Sequence, residues 1–106
     1  MPKYLLQVSY TAEGAKGVLR DGGSKRRAAA RTLVESLGGK LESLYFAFGM
    51  TDVFAIADLP DNTSAAAASL TLASTGAATN KVTVLLTAED LDQAVKKTAS
   101  YTPPGR

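Results

Sequence analysis

The stretch LESLYFAFGMTDVFAIADL, Leu41 to Leu59, decides the fold. Two runs of β-forming residues, Leu41–Phe48 and Asp52–Leu59, flank Gly49, Met50 and Thr51, and such runs around a short glycine-containing break predict a β-hairpin. In the second run Val53, Ala55, Ala57 and Leu59 share one side, while Phe54 and Ile56 take the other. In the first, Leu44, Phe46 and Phe48 oppose Leu41, Tyr45 and Ala47. Both sides of the hairpin are too apolar for a sheet with one wetted face. Each face therefore needs a cover.

Working outward, Pro60 and Asp61 stop the hairpin, and Asp61 is placed to cap a helix running to Gly76. That helix is built from small residues (Ala65, Ala66, Ala67, Ala68 and Ala73) with Leu70 and Leu72, so it can lie close to a sheet. Lys81–Thr87 reads as a further strand. Thr87 and Asp90 then have the spacing of a capping box, which opens a last helix with Lys96 and Lys97 at its end.

On the other side of the hairpin, Ala30, Leu33, Val34 and Leu37 form a helical stripe that Gly38 and Gly39 terminate. Ser24 is the expected N-cap of that helix. Gly14, Gly17, Gly22 and Gly23 predict that residues 12–23 are a connection holding at most one helical turn. Tyr4–Thr11 alternates as a strand. The order is β-α-β-β-α-β with a closing helix: an α+β, ferredoxin-like fold with antiparallel sheet order 4-1-3-2 and both helices on one face. A second copy laid against the open face is the economical cover, which makes a homodimer. Phe46, Phe48, Phe54 and Ile56 are the expected interface residues.

At 106 residues, 45% apolar and 21% charged, the chain has the size and composition of one globular domain, read as residues 1–100 with an irregular tail at 101–106. No apolar run approaches the roughly 20 residues that cross a bilayer, and no leader pattern opens the sequence, so a cytoplasmic location and no membrane partner are expected. There is no Cys and no His. Thiolate nucleophiles, imidazole bases, haem ligation and most transition-metal sites are thereby removed, and no metal or cofactor is expected. The net charge of +2 hides a basic segment: Lys16, Arg20, Lys25, Arg26, Arg27 and Arg31 stand against Asp21 alone.

Tyr10 and Thr11, then Gly14, Lys16 and Gly17, Arg27, Gly38-Gly39-Lys40, Tyr45, Phe48 and Gly49 with Asp52, and Pro60-Asp61 together resemble the GYD domain family. That resemblance spans nearly the whole chain and implies a dimeric α/β barrel. The family's Gly-Tyr-Asp element here has Thr51 in the place of the Tyr. The wider barrel group includes cofactor-independent monooxygenases, haem-handling enzymes and ligand sensors, and kinship of fold does not choose among them.

The topology brings the end of the first strand, the basic helix start, the hairpin turn and the start of the fourth strand to one end of the sheet. Tyr10, Arg27, Tyr45, Asp52 and Asn80 are the resulting ligand-binding candidates. They favour a small anionic or carbonyl-bearing molecule, with any turnover running without a cofactor. The other reading is a non-catalytic assembly or regulatory module whose basic segment meets a partner protein. Two motif look-alikes fail. Gly17–Gly22 has P-loop spacing but lacks the following Lys-Ser/Thr, and Gly14–Arg20 resembles an acylphosphatase loop without the Asn such enzymes need on a following strand. Nucleic-acid binding is not expected either. Gln7 and Ser9 stand where an RNA-binding sheet would present aromatics.

Overall fold

A computed structural model describes residues 1–106. The elements are β1 (Lys3–Tyr10), α1 (Ala12–Ser36), β2 (Lys40–Phe46), β3 (Val53–Asp58), α2 (Asn62–Ser74), β4 (Ala78–Leu85) and α3 (Ala88–Ala94). The four strands form one antiparallel sheet in the order β2-β3-β1-β4. This is the ferredoxin-like order read from the sequence.

The first helix differs from the expectation. It starts at Ala12, capped by the Thr11 hydroxyl accepting from the Gly14 N–H, and not at Ser24. Only Gly22 leaves helical geometry, at φ 76°, so α1 is two helical segments joined at a kink. The glycines read as loop residues serve different ends. Gly14 is a contact residue: a Cβ there would stand 1.9 Å from the Ala77 carbonyl oxygen. Gly22 alone uses the left-handed region that glycine reaches without penalty. Lys25, Arg26 and Arg27 therefore lie at the start of the second segment, close to the helix start read at Ser24, but that segment continues from a first one and is not preceded by a loop.

The C-terminal stop behaves as expected. The Gly38 N–H donates to Glu35 O and the Gly39 N–H to Val34 O, with Gly38 at φ 81°, which is a Schellman ending. α2 is capped by Asp61, whose side chain accepts from the Ser64 N–H at 2.8 Å. That bond holds the Asp61 carboxyl below its ordinary range. β4 begins at Ala78, three residues before the predicted Lys81. α3 has the full Thr87–Asp90 capping box, but Lys96 and Lys97 lie beyond its end.

The core lies between the sheet and α1 and α2. Tyr4, Leu6, Ala55, Ala57 and Leu59 from the sheet side meet Val34 and Ala65 from the helices. Tyr4 and Leu59 are fully buried, which for the Leu59 side chain is worth about 1.5–3 kcal/mol. The Tyr4 hydroxyl keeps a partner by donating to Asn62 Oδ1 at 2.7 Å. A register shift between Leu41 and Ser43 turns Leu41 to the same side as Leu44, so strict alternation fails at that point. The molecule is elongated, 56 × 34 × 22 Å, and its radius of gyration of 16.8 Å exceeds the roughly 13 Å of a compact chain this long. No residue of α3 is buried. No helix is long and apolar enough to cross a membrane.

Candidate functional site

Small side chains leave a hollow where the core would otherwise close. Ala29 and Ala30 of α1, Ala55 and Ala78 of the sheet, and Thr71 of α2 with its C-cap Thr75 line a cavity of about 310 Å³ between the helices and the sheet. Leu6, Val8, Leu33 and Leu72 make most of its wall apolar. Its polar groups are Tyr10, Arg26, Thr71 and Thr75, and Arg26 is the one charged side chain among them. A volume at the lower end of the roughly 300–1,000 Å³ range, an apolar wall and a few polar groups are the attributes of small-molecule pockets.

Tyr10 is placed by the strand end and by Gly14, whose missing Cβ leaves room for the ring; a Cβ would meet Tyr10 Cδ1 at 3.1 Å. The Tyr10 N–H donates to Asp52 Oδ2 at 2.8 Å, and the Asp52 N–H donates to Val8 O at 2.8 Å. Asp52 thus ties the hairpin turn to the end of β1. Burial pushes the Tyr10 phenol above its ordinary value, and the Arg26 guanidinium pulls the other way. The phenol accordingly stays protonated, a donor, through neutral pH. Arg26 makes one contact with Asp21, 3.4 Å from Nη1 to Oδ2, and both side chains are more than a third exposed. Such a pair is weak.

Of the residues named from sequence, Tyr10 and Asp52 are brought together at the cavity end. Arg27 is not with them. It lies with Arg31 and Tyr45 over a separate groove at the outer edge of β2. Asn80 is committed to α2, accepting from Ser69 Oγ at 2.6 Å and donating to Ser69 O at 2.9 Å. Thr51 borders a polar hollow with Gln7, Ser9 and Thr79. Arg26, Thr71 and Thr75 were missed. Arg26 was hidden among four neighbouring cations, and nothing in the sequence says which one the Gly22 kink turns inward. Thr71 and Thr75 stand four apart on the helix face that also carries Leu72, a pattern that could have marked them.

The interface candidates also separate. Phe54 and Ile56 share the open face with Leu5, since Ile56 pairs with Leu5 and Phe54 pairs with Gln7 and Tyr45. Phe54 is 37% exposed and Tyr45 73%. Phe46, by contrast, pairs with buried Val53 and points to the helix side, where its ring lies 3.3 Å from the place of a Gly23 Cβ. Phe48 lies past the end of β2 and is 98% exposed. Strand β2 is shorter than its apolar run, which is why Phe48 belongs to neither face.

No group of acidic side chains converges as a metal-ligand set. No curated protein matches the chain. The model of the GYD domain matches residues 4–95, from the first strand to the end of the third helix. The chain belongs to the GYD domain family.

Proposed function

We propose that this GYD-domain protein is a homodimer that binds a small, largely apolar molecule between its helices and its sheet. The observation that carries the reading is the 310 Å³ cavity with Tyr10 and Arg26 in its wall. The hollow opens to solvent beside α1 and α2, where Ala29, Thr71 and Thr75 are exposed, and its apolar walls lack the contacts that a closed core would give them. A ligand that supplies those contacts explains why small residues stand at Ala30, Ala55 and Ala78. The wall holds no carboxylate or imidazole to move a proton, so the reading is of binding, with no step of chemistry assigned.

Pairing is supported by the open face, where Leu5, Tyr45, Phe54 and Ile56 have no cover within the chain, and by α3. That helix and its C-cap expose Leu91 and Val95, and the helix buries nothing. A second copy satisfies both, and sedimentation at micromolar concentration should give twice the 11.0 kDa chain mass. A monomer at that concentration would overturn the pairing.

Ligand-observed NMR with a set of small aromatic molecules tests the cavity. Binders should appear with the wild type and be lost with Ala30→Phe, which fills the space. The absence of any binder, or binding that survives the filling, would leave the assembly-module reading. One observation favours that alternative: Lys16, Arg20, Lys25, Arg27 and Arg31 form no ion pair within the chain, and only Lys3 and Arg26 do.

A further inference from the structure

We infer that the cavity selects molecules with an apolar body and a single carboxylate head, the head being held by Arg26 in exchange for Asp21. This rests on the binding reading above and specifies its ligand class. The wall offers one full charge, the Arg26 guanidinium, so a complementary ligand carries one negative group and no more. A guanidinium has five N–H donors in a planar fork that matches a carboxylate two at a time. Its one salt bridge is a single contact, 3.4 Å from Nη1 to Asp21 Oδ2, and the guanidinium also stands beside the Tyr10 phenol. That ion pair is long and only part-buried, and it engages one nitrogen of the fork.

The backbone explains how Arg26 comes to face the cavity. Asp21 and Arg26 stand on either side of the Gly22 kink, one at the end of the first helical segment and one near the start of the second. Past the kink Gly23 rests against the Phe46 ring, which fixes the second segment beside β2. Tyr10 adds a protonated hydroxyl at the same end. The two donors belong to different elements, and between them they suit one anionic head better than a neutral one.

The volume sets the body. An apolar cavity of about 150 Å³ admits benzene. The 310 Å³ here is about twice that, the bulk of a two-ring aromatic or a chain of similar size. A sugar would place several hydroxyls against Leu6, Val8, Leu33 and Leu72 without partners, and a phosphate monoester would bring nearly two charges to one guanidinium.

Isothermal titration with 2-naphthoate and with 2-naphthylmethanol tests this. The two probes share a body and differ in the head. Wild type should bind the acid about tenfold to a hundredfold more tightly, the range of one charge-assisted hydrogen-bonded contact. Arg26→Gln should bring the affinity for the acid down to about that for the alcohol. Asp21→Asn should tighten the acid alone by severalfold. Lys25→Gln removes the same charge next door, and with it the preference for the acid should persist. Equal affinity for both probes in wild type, or equal loss of preference in Lys25→Gln and Arg26→Gln, would overturn the carboxylate inference while leaving the cavity as a binding site. Failure of both probes to bind would overturn the binding reading and this inference with it.

Discussion

The two faces of the sheet are made by the same strands, residue by alternate residue, yet they have been built to different standards. On the helix side Tyr4, Leu6, Ala55, Ala57 and Leu59 are 7% exposed or less. On the other side Leu5, Phe54 and Ile56 are apolar but remain partly accessible, mixed with Gln7, Ser9 and Lys81. The first face is covered by the chain's own helices, apart from the hollow over Ala55 and Ala78. The second is apolar at its centre and polar toward β4, the composition of a contact surface between folded units. Apolarity alone does not distinguish them. What distinguishes them is whether this chain supplies the cover.

That comparison can be broken in four places. The largest effect is expected at Leu59→Ala, which empties a fully buried site and should cost about 2–5 kcal/mol in urea unfolding. A loss as small as that of a surface substitution would mean the covered face is not the core. Next is Phe54→Asp on the open face. It should weaken pairing about a hundredfold or more, because a carboxylate buried without a partner costs several kcal/mol. The chain should still melt cooperatively as an 11.0 kDa species. If folding is lost along with pairing, the two faces are one cooperative unit.

Gly14→Ala sharpens the point on the covered side. Its Cβ would overlap the Ala77 carbonyl, so α1 must shift, at about 1–3 kcal/mol. Gly17→Ala, whose nearest obstacle is the flexible end of Arg20, should instead be neutral or stabilising by about 0.5–1 kcal/mol. Thermal melts of the pair separate close packing from helix propensity. The smallest effect concerns Asp61, at the start of the helix that helps cover the core. Its folded carboxyl titrates below the ordinary 3.8, so its contribution is present above that value and is lost as pH falls through the lower folded value. Asp61→Asn keeps a cap but does not titrate. Between pH 5 and strong acid it should lose slightly less melting temperature than wild type, and an equal loss would remove Asp61 from the acid response.

Much of this was legible along the chain, and the failures have physical causes. The hairpin, the Asp61 cap, the Thr87–Asp90 box and the Gly38-Gly39 stop are local devices, each closed by bonds within a few residues. Reading residues 12–23 as a connection failed because glycine has two uses. At Gly22 it sets a backbone angle. At Gly14 it makes room for a carbonyl from Ala77, more than sixty residues away, and no local pattern announces that. Phe46 misled for a similar reason. The length of β2 and its register shift decide which aromatics reach the open face, and pairing with β3 sets both.

By itself, then, the sequence determined the element types, their order, the sheet order that right-handed connections impose, and the surplus of apolar residues on both faces of the hairpin. These follow from periodicity, caps and turn chemistry, which act over short distances. Tertiary structure alone decided that α1 continues through its glycines and breaks only at Gly22, that Arg26 and not Arg27 faces the cavity, that Asn80 is tied to Ser69, and that α1 and α2 leave a hollow over Ala55 and Ala78. Each of these depends on how closely two distant segments approach. That distance is set by the volumes on both sides at once, and a single chain segment carries only one of them.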